Sequence, residues 1–352
     1  MATLIQHLIK LTDHRERDLL ELTLAKALID LLPLQRVVIA SVLSQEGVSR
    51  WLQVATLDAR GGGSVTDPLR VDFQSLPALE DERDRLRSIQ TGERLEVALA
   101  GDAGPRISYV PMFEPSRSEE LGVLEIHASK TLNPAELETI GLLLQVFRNM
   151  HSLLAYSDRD GLTGLLNRKA LDASFYSAVL EELDEGMGAQ SGLRGAQVKP
   201  GQERRHRVPP NYWLGTIRVD QFKAIAEKEG PLIAEELLLL VARILNNSFR
   251  TYDRIYRLGG EQFAVLMHCP DEALVLLAFE RFRANMDKFN FPQVGHATAC
   301  GGFTRLGADD SPGTALERSE HAVAYGRQQG GNQVFSYGEL VGKGLLVPGQ
   351  DG

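Results

Sequence analysis

Cysteine is almost absent from this chain. Of 352 residues only Cys269 and Cys300 are cysteines, far apart and without metal-ligand spacing. That argues against a disulfide scaffold and against a zinc site; two lone thiols suit small apolar positions in strands. An uninterrupted apolar run of membrane-spanning length is also missing, as is the apolar core of a signal peptide at the N-terminus. Basic residues are outnumbered, 38 Lys and Arg against 47 Asp and Glu, for a net charge of −9. Non-specific nucleic-acid binding is therefore disfavoured. These absences point to a soluble, cytoplasmic protein with no direct membrane insertion. The length suits two domains.

What is present is most informative at Gly259-Gly260-Glu261-Gln262-Phe263, inside the apolar run from Ile255 to Met267. Adjacent glycines within a strand-like run mark a tight hairpin or a close approach of backbone to a ligand. A carboxylate just after such a turn can reach a metal or a phosphate, or it can simply be solvated.

Residues 2–33 read as helical, and strand-like runs follow at 36–43, 51–57, 95–100, 107–112 and 122–127, with a helix expected within 79–92. This order suggests a compact α+β module over residues 1–132. By pattern alone it resembles a GAF domain, which implies either a small-molecule sensor or a dimerisation platform with an empty pocket. Asn133, Pro134 and Glu136 form a helix-start signature. The helix expected over 133–157 carries overlapping apolar stripes, Leu137, Ile140, Leu144, Phe147, Leu154 and Ile140, Leu143, Phe147, Met150, Leu154. A face that wide suits a signalling helix packed on its own domain and on a second copy, or a helix buried in one monomer. The second domain spans about 158–340, with a Gly- and Arg-rich flexible insertion at about 184–210 and a tail at 341–352. Its strand and helix signals alternate as βαββαβ with helices on one face, similar to a ferredoxin-like or nucleotide-cyclase core with an antiparallel-rich sheet.

Four motifs in register then carry a more specific resemblance: Asp160-Gly161-Leu162-Thr163-Gly164-Leu165-Leu166-Asn167-Arg168, Val219-Asp220-Gln221-Phe222-Lys223, Arg257 to Phe263, and Gly330-Gly331-Asn332-Gln333-Val334. They resemble the GGDEF domains of diguanylate cyclases, which join two GTP molecules into cyclic di-GMP with Mg2+ or Mn2+. The resemblance implies remnants of a GTP site at Asp220, Lys223, Glu235 and Arg327, with Glu261 and Asp220 as metal ligands if the enzyme is active. Lys223 is expected to pair with Asp220 or Glu261.

The chain departs from the family at several of these positions. Arg218 stands where the family has its first metal aspartate, a charge reversal by a group that does not deprotonate. Gln262 replaces a glutamate and neither neutralises charge nor acts as a base. Ala226 stands where the family reads guanine, Gly230-Pro231 replaces its Gly-His pair, and Gly331 replaces its arginine. By contrast Arg250-Thr251-Tyr252-Asp253 keeps the family's inhibitory RxxD motif, with five residues between Asp253 and Gly259. An arginine fork can bond guanine O6 and N7, and an aspartate can accept from N1 and N2. The resemblance implies cyclic di-GMP binding at Arg250 and Asp253, with Arg281 as a second arginine. Three readings stay open: an inactive cyclic di-GMP receptor that passes its signal to a protein output partner, an atypical active cyclase, and a homodimeric interaction module that binds neither nucleotide.

Overall fold

The computed structural model describes residues 2–13, 17–45, 47–66, 68–99, 104–113, 121–176, 178, 212–307 and 309–347. The chain forms two compact units, Met1–Ser157 and Asp158–Gly352. The insertion expected at 184–210 and the end of the tail lie outside the described residues.

In the first unit the helices are α1 (Ala2–Asp13), α2 (Arg17–Leu31), α3 (Arg83–Thr91) and α4 (Pro134–Ser157). The strands are β1 (Leu34–Gln45), β2 (Val48–Asp58), β3 (Gly63–Val65), β4 (Leu95–Ala98), β5 (Arg106–Pro111) and β6 (Gly122–Ala128). The helix expected over 2–33 is therefore two helices. They fold back on each other, and His7 Nε2 reaches Asp30 at 3.6 Å. All strands pair antiparallel, in the order β3-β2-β1-β6-β5-β4.

Period-2 alternation gives this sheet two different faces. Val37, Ile39, Leu124 and Ile126 pack under α1, α2 and α4. Ala40, Trp51, Tyr109 and Val123 face the other way, against Ile89 of α3. That second face also buries charge. Arg85 donates twice to Glu125 Oε2, at 2.9 and 2.7 Å, and Glu125 Oε1 meets His127 Nε2. Burial opposes the charge on Glu125, yet the bonds from His127 and Arg85 hold its carboxyl below the usual range. At the start of α4 the capping box forms as read: Glu136 N donates to Asn133 Oδ1 at 2.9 Å and Asn133 N to Glu136 at 2.8 Å. Ile140, Leu143, Leu144, Phe147 and Leu154 of its two sequence stripes are buried in this unit's own core.

The second unit has β7 (Leu166–Asn167), a helix α5 over 168–176, β8 (Tyr212–Val219), α6 (Phe222–Glu229), α7 (Pro231–Ser248), β9 (Arg254–Gly259), β10 (Gln262–His268) and α8 (Glu272–Lys288). There follow β11 (Asn290–Phe291), β12 (Gly295–His296), β13 (Ala299–Arg305), α9 (Pro312–Gln328), β14 (Val334–Ser336) and α10 (Tyr337–Gly342). Its main sheet runs β14-β13-β8-β10-β9-β7. The three central pairs are antiparallel, and the edge pairs β13–β14 and β7–β9 are parallel. Before β13 the chain makes the short hairpin β11–β12.

Helices cover both faces of this sheet, not one. Ile217, Val219, Phe263, Val265 and Phe303 pack with α7 and α8, whereas α9 lies against the opposite face. Two glycines set these approaches. A Cβ on Gly215 would stand 2.2 Å from the Phe279 ring of α8, and one on Gly302 would stand 2.3 Å from the Ser319 carbonyl oxygen of α9. Backbone-to-helix contact that close needs a residue without a side chain.

Candidate functional site

The β9–β10 turn is built as its sequence demands. Gly259 and Gly260 hold φ of 130° and 52°, which a side chain would strain. Arg257 fastens the turn. Its Nε and Nη2 donate to the Gly260 carbonyl at 3.2 and 3.0 Å, and its Nη1 reaches both oxygens of Asp160, at 3.0 and 3.2 Å. Asp160 Oδ1 also accepts from the Thr163 backbone and hydroxyl at 2.8 and 2.7 Å. Burial works against the Asp160 charge, but the bonds from Thr163 and Arg257 outweigh it and keep the carboxyl below its ordinary range. The first motif, Asp160 to Thr163, is thus a clamp on the hairpin, 97 residues away in sequence.

Beside the turn, β8 and β10 pair so that Arg218 lies opposite Gln262. Arg218 Nε sits 4.0 Å from Glu261 Oε1. The guanidinium therefore occupies the neighbourhood of the carboxylate that would hold a metal. Gln262 turns to α9 and donates to Glu320. Asp220 is buried, and its Oδ2 accepts from Thr298 Oγ1 and from the Asn332 backbone, both at 2.8 Å. A Cβ on Gly331, whose φ is +83°, would come 3.0 Å from that same oxygen. So Gly331 suits close packing on Asp220, a role the sequence does not advertise. Lys223 pairs with neither acid proposed for it: it points to solvent, with Glu227 at 3.9 Å, because α6 carries it along the helix surface. Glu235 and Arg327 are exposed, and Ala226 is half-buried. Among the described residues no group of three or more His, Cys, Asp or Glu is placed to hold a metal ion.

The RxxD motif follows α7 as a turn. Asp253 N donates to the Arg250 carbonyl at 3.0 Å and Arg250 N to Asp253 Oδ2 at 2.9 Å. Asp253 is only 6% exposed, and its second oxygen, Oδ1, is buried without a hydrogen-bond partner. Burial pushes its carboxyl up to about 6, against the lowering pull of the Arg250 backbone bond and of the Arg250 and Arg281 charges. Arg250 itself is exposed, its guanidinium 5.8 Å from the Tyr252 ring centroid. Arg281 is brought to the site from α8, where its Nε donates to the Ser248 carbonyl at 2.7 Å. Asn285, one turn on, donates to Ser248 Oγ at 2.9 Å. The structure therefore gathers Arg250, Asp253 and Arg281. It adds Ser248 and Asn285, which sequence reading missed; the spacing of four between Arg281 and Asn285, which puts both on one helix face, was the available signal.

A cavity of about 320 Å3 lies elsewhere, lined by Trp213, Glu272, Thr304, Arg305 and Ser336 among others. Trp213 sits at the start of β8 and Thr304 and Arg305 at the end of β13, the opposite end of the sheet from the Gly259–Gly260 turn, with Glu272 of α8 and Ser336 of β14 beside them.

Residues 197–333 match the family model described as diguanylate cyclase, GGDEF domain. The match supports a GGDEF domain, with its mixed α+β fold, over those residues. Diguanylate cyclase DgcZ of Escherichia coli K12 is 25% identical over 189 residues, covering 53% of this chain and 55% of that protein. Diguanylate cyclase DgcM of the same strain is 26% identical over 178 residues, covering 50% and 38%. The chain thus spans about half the length, or less, of these curated relatives. Among solved structures, the coiled coil and GGDEF domain of DgcB from Caulobacter crescentus in complex with c-di-GMP aligns with 57% of this chain and 96% of that one, at 19% identity and a TM-score of 0.45. No helix among the described residues is long and apolar enough to cross a membrane.

Proposed function

We propose that this protein is a cyclic di-GMP receptor that does not synthesise the nucleotide. The observation that carries the reading is Asp253 Oδ1: a buried acceptor with no partner, in a turn that presents Arg250 and faces Arg281. Leaving such an atom unpaired costs free energy, about 1–3 kcal/mol, and a guanine N1–H or N2–H would satisfy it. Arg250 supplies a fork for the O6 and N7 edge, and the two arginines offset the ligand's phosphates. Ligand entry requires the turn over Asp253 to open.

The GTP-site remnants do not fit a Mg2+ or Mn2+ ion. Arg218 places a permanent positive charge beside Glu261, Asp220 is committed to Thr298 and Asn332, and Gln262 bonds Glu320. Two cations near 4 Å repel by roughly 1–4 kcal/mol in water-like to surface-like dielectric, and the carboxylate lost at Arg218 adds to that. Phosphoryl transfer depends on positioned metal carboxylates. The first unit serves in this reading as a GAF-like sensory or assembly module, linked through α4, with a protein as output partner.

Two assays test the proposal. Incubation with GTP and Mg2+ or Mn2+, followed by chromatography, is expected to yield no cyclic di-GMP. Product that disappears in Glu261→Ala would mean that an atypical cyclase survives. Titration with cyclic di-GMP is expected to show binding in wild type and none in Arg250→Ala.

A further inference from the structure

We infer that Asn285 is a positioning residue of the RxxD site: acting through Ser248, it holds the Arg281 guanidinium ready for a phosphate of the ligand. This role rests on the nucleotide reading above and adds to it a residue outside the motif.

Ser248 is the last residue of α7. The final carbonyls of a helix have no partner within it, and a cation beside that end is favoured by the helix dipole. Arg281 of α8 fills this place, its Nε donating to the Ser248 carbonyl at 2.7 Å. Ser248 is fully buried, so the acceptor is fixed by the fold. Arg281 is exposed, and Nε is the donor it spends on Ser248. Its two terminal nitrogens carry the other four of a guanidinium's five donors. The Arg281 charge acts on Asp253, which puts it at the rim of the same turn.

Asn285 lies one turn further along α8, on the face that carries Arg281. Its Nδ2 donates to Ser248 Oγ at 2.9 Å. One residue of α7 is thus gripped from α8 at two atoms, the carbonyl by Arg281 and the hydroxyl by Asn285. Bulk packing here comes from other side chains: the Phe249 ring lies 5.2 Å from Phe279 and 6.3 Å from Phe282 between centroids. What the Asn285 bond adds is the register of the α7 end on α8, and so the place of the Ser248 carbonyl relative to Arg281.

An unanchored arginine at the surface samples many rotamers, and ordering it on binding weakens affinity by about two- to tenfold. An arginine already tied at Nε has given up much of that freedom before the ligand arrives. Asn285 therefore raises affinity without touching the ligand.

Calorimetric titration of cyclic di-GMP into the full chain tests this. Asn285→Ala is expected to weaken binding by about three- to tenfold. Ser248→Ala should do the same, and the double variant no more than either alone. In an Arg281→Ala background, which keeps Arg250 and Asp253, Asn285→Ala should change nothing further. Alanine is the better helix former at position 285, so a weakened helix is not an alternative cause. A ligand-free readout accompanies the titrations: by NMR, the Arg281 Nε–H should exchange slowly with water in wild type and faster in Asn285→Ala. Equal affinity or equal exchange in those two proteins overturns the role of Asn285 and leaves the nucleotide reading intact. A weakening that persists in the Arg281→Ala background also overturns it, because the effect would then bypass Arg281. A wild type that binds no cyclic di-GMP overturns the nucleotide reading, and this role with it.

Discussion

Three side chains carry most of the functional reading: Asp253, Arg218 and Asp220. Burial pushes the Asp253 carboxyl from the ordinary aspartate range up to about 6, so the folded state holds its proton more tightly than the unfolded chain does. The stability gained from that proton is complete below about pH 4 and is lost as pH rises through about 6. Asp253→Asn should remove this dependence. Between pH 4 and 7 the wild type should lose about 1–3 kcal/mol relative to the variant in denaturant melts. The ligand's N1 and N2 donors need the carboxylate, so affinity for cyclic di-GMP should weaken below about pH 6, by up to about tenfold per pH unit. Arg218→Asp alone should not produce turnover from GTP, because Ala226, Gln262 and the engaged Asp220 remain; cyclic di-GMP formed by that single variant would contradict the account. The charge reversal at Arg218 was visible in sequence. Its 4.0 Å approach to Glu261 was not, because it depends on how β8 and β10 align.

At the scale of elements, local chemistry was the more legible part. The Asn133–Glu136 box and the Gly259–Gly260 turn were readable because each signal lies within four residues. Asn133→Ala should cost about 0.5–2 kcal/mol of stability in the same melts. The placement of α9 was not readable. Gly302 looks like any strand glycine until Ser319, 17 residues on, is known to lie against it. Gly302→Ala should destabilise by about 1–3 kcal/mol through overpacking, measured by thermal or denaturant unfolding; a neutral result would mean that α9 can retreat from the sheet. Position 331 makes the same point. Read as a lost arginine, it is also a left-handed residue pressed on Asp220, so restoring arginine there would strain the loop.

For the whole molecule, each unit has its own buried core, and α4 belongs to the first of them. The α+β character of the stretch that matches the GGDEF family model, residues 197–333, was legible from motifs in order. The assembly of the RxxD site was only half legible. Arg250 and Asp253 are neighbours in sequence, but Ser248 and Asn285 meet through packing of α7 on α8. The most direct test of the central claim is a calorimetric titration of cyclic di-GMP into the full chain near pH 8, with Arg250→Ala alongside. Saturable binding is expected in wild type and its loss in the variant. Absence of binding in wild type, or equal binding in both, would contradict it.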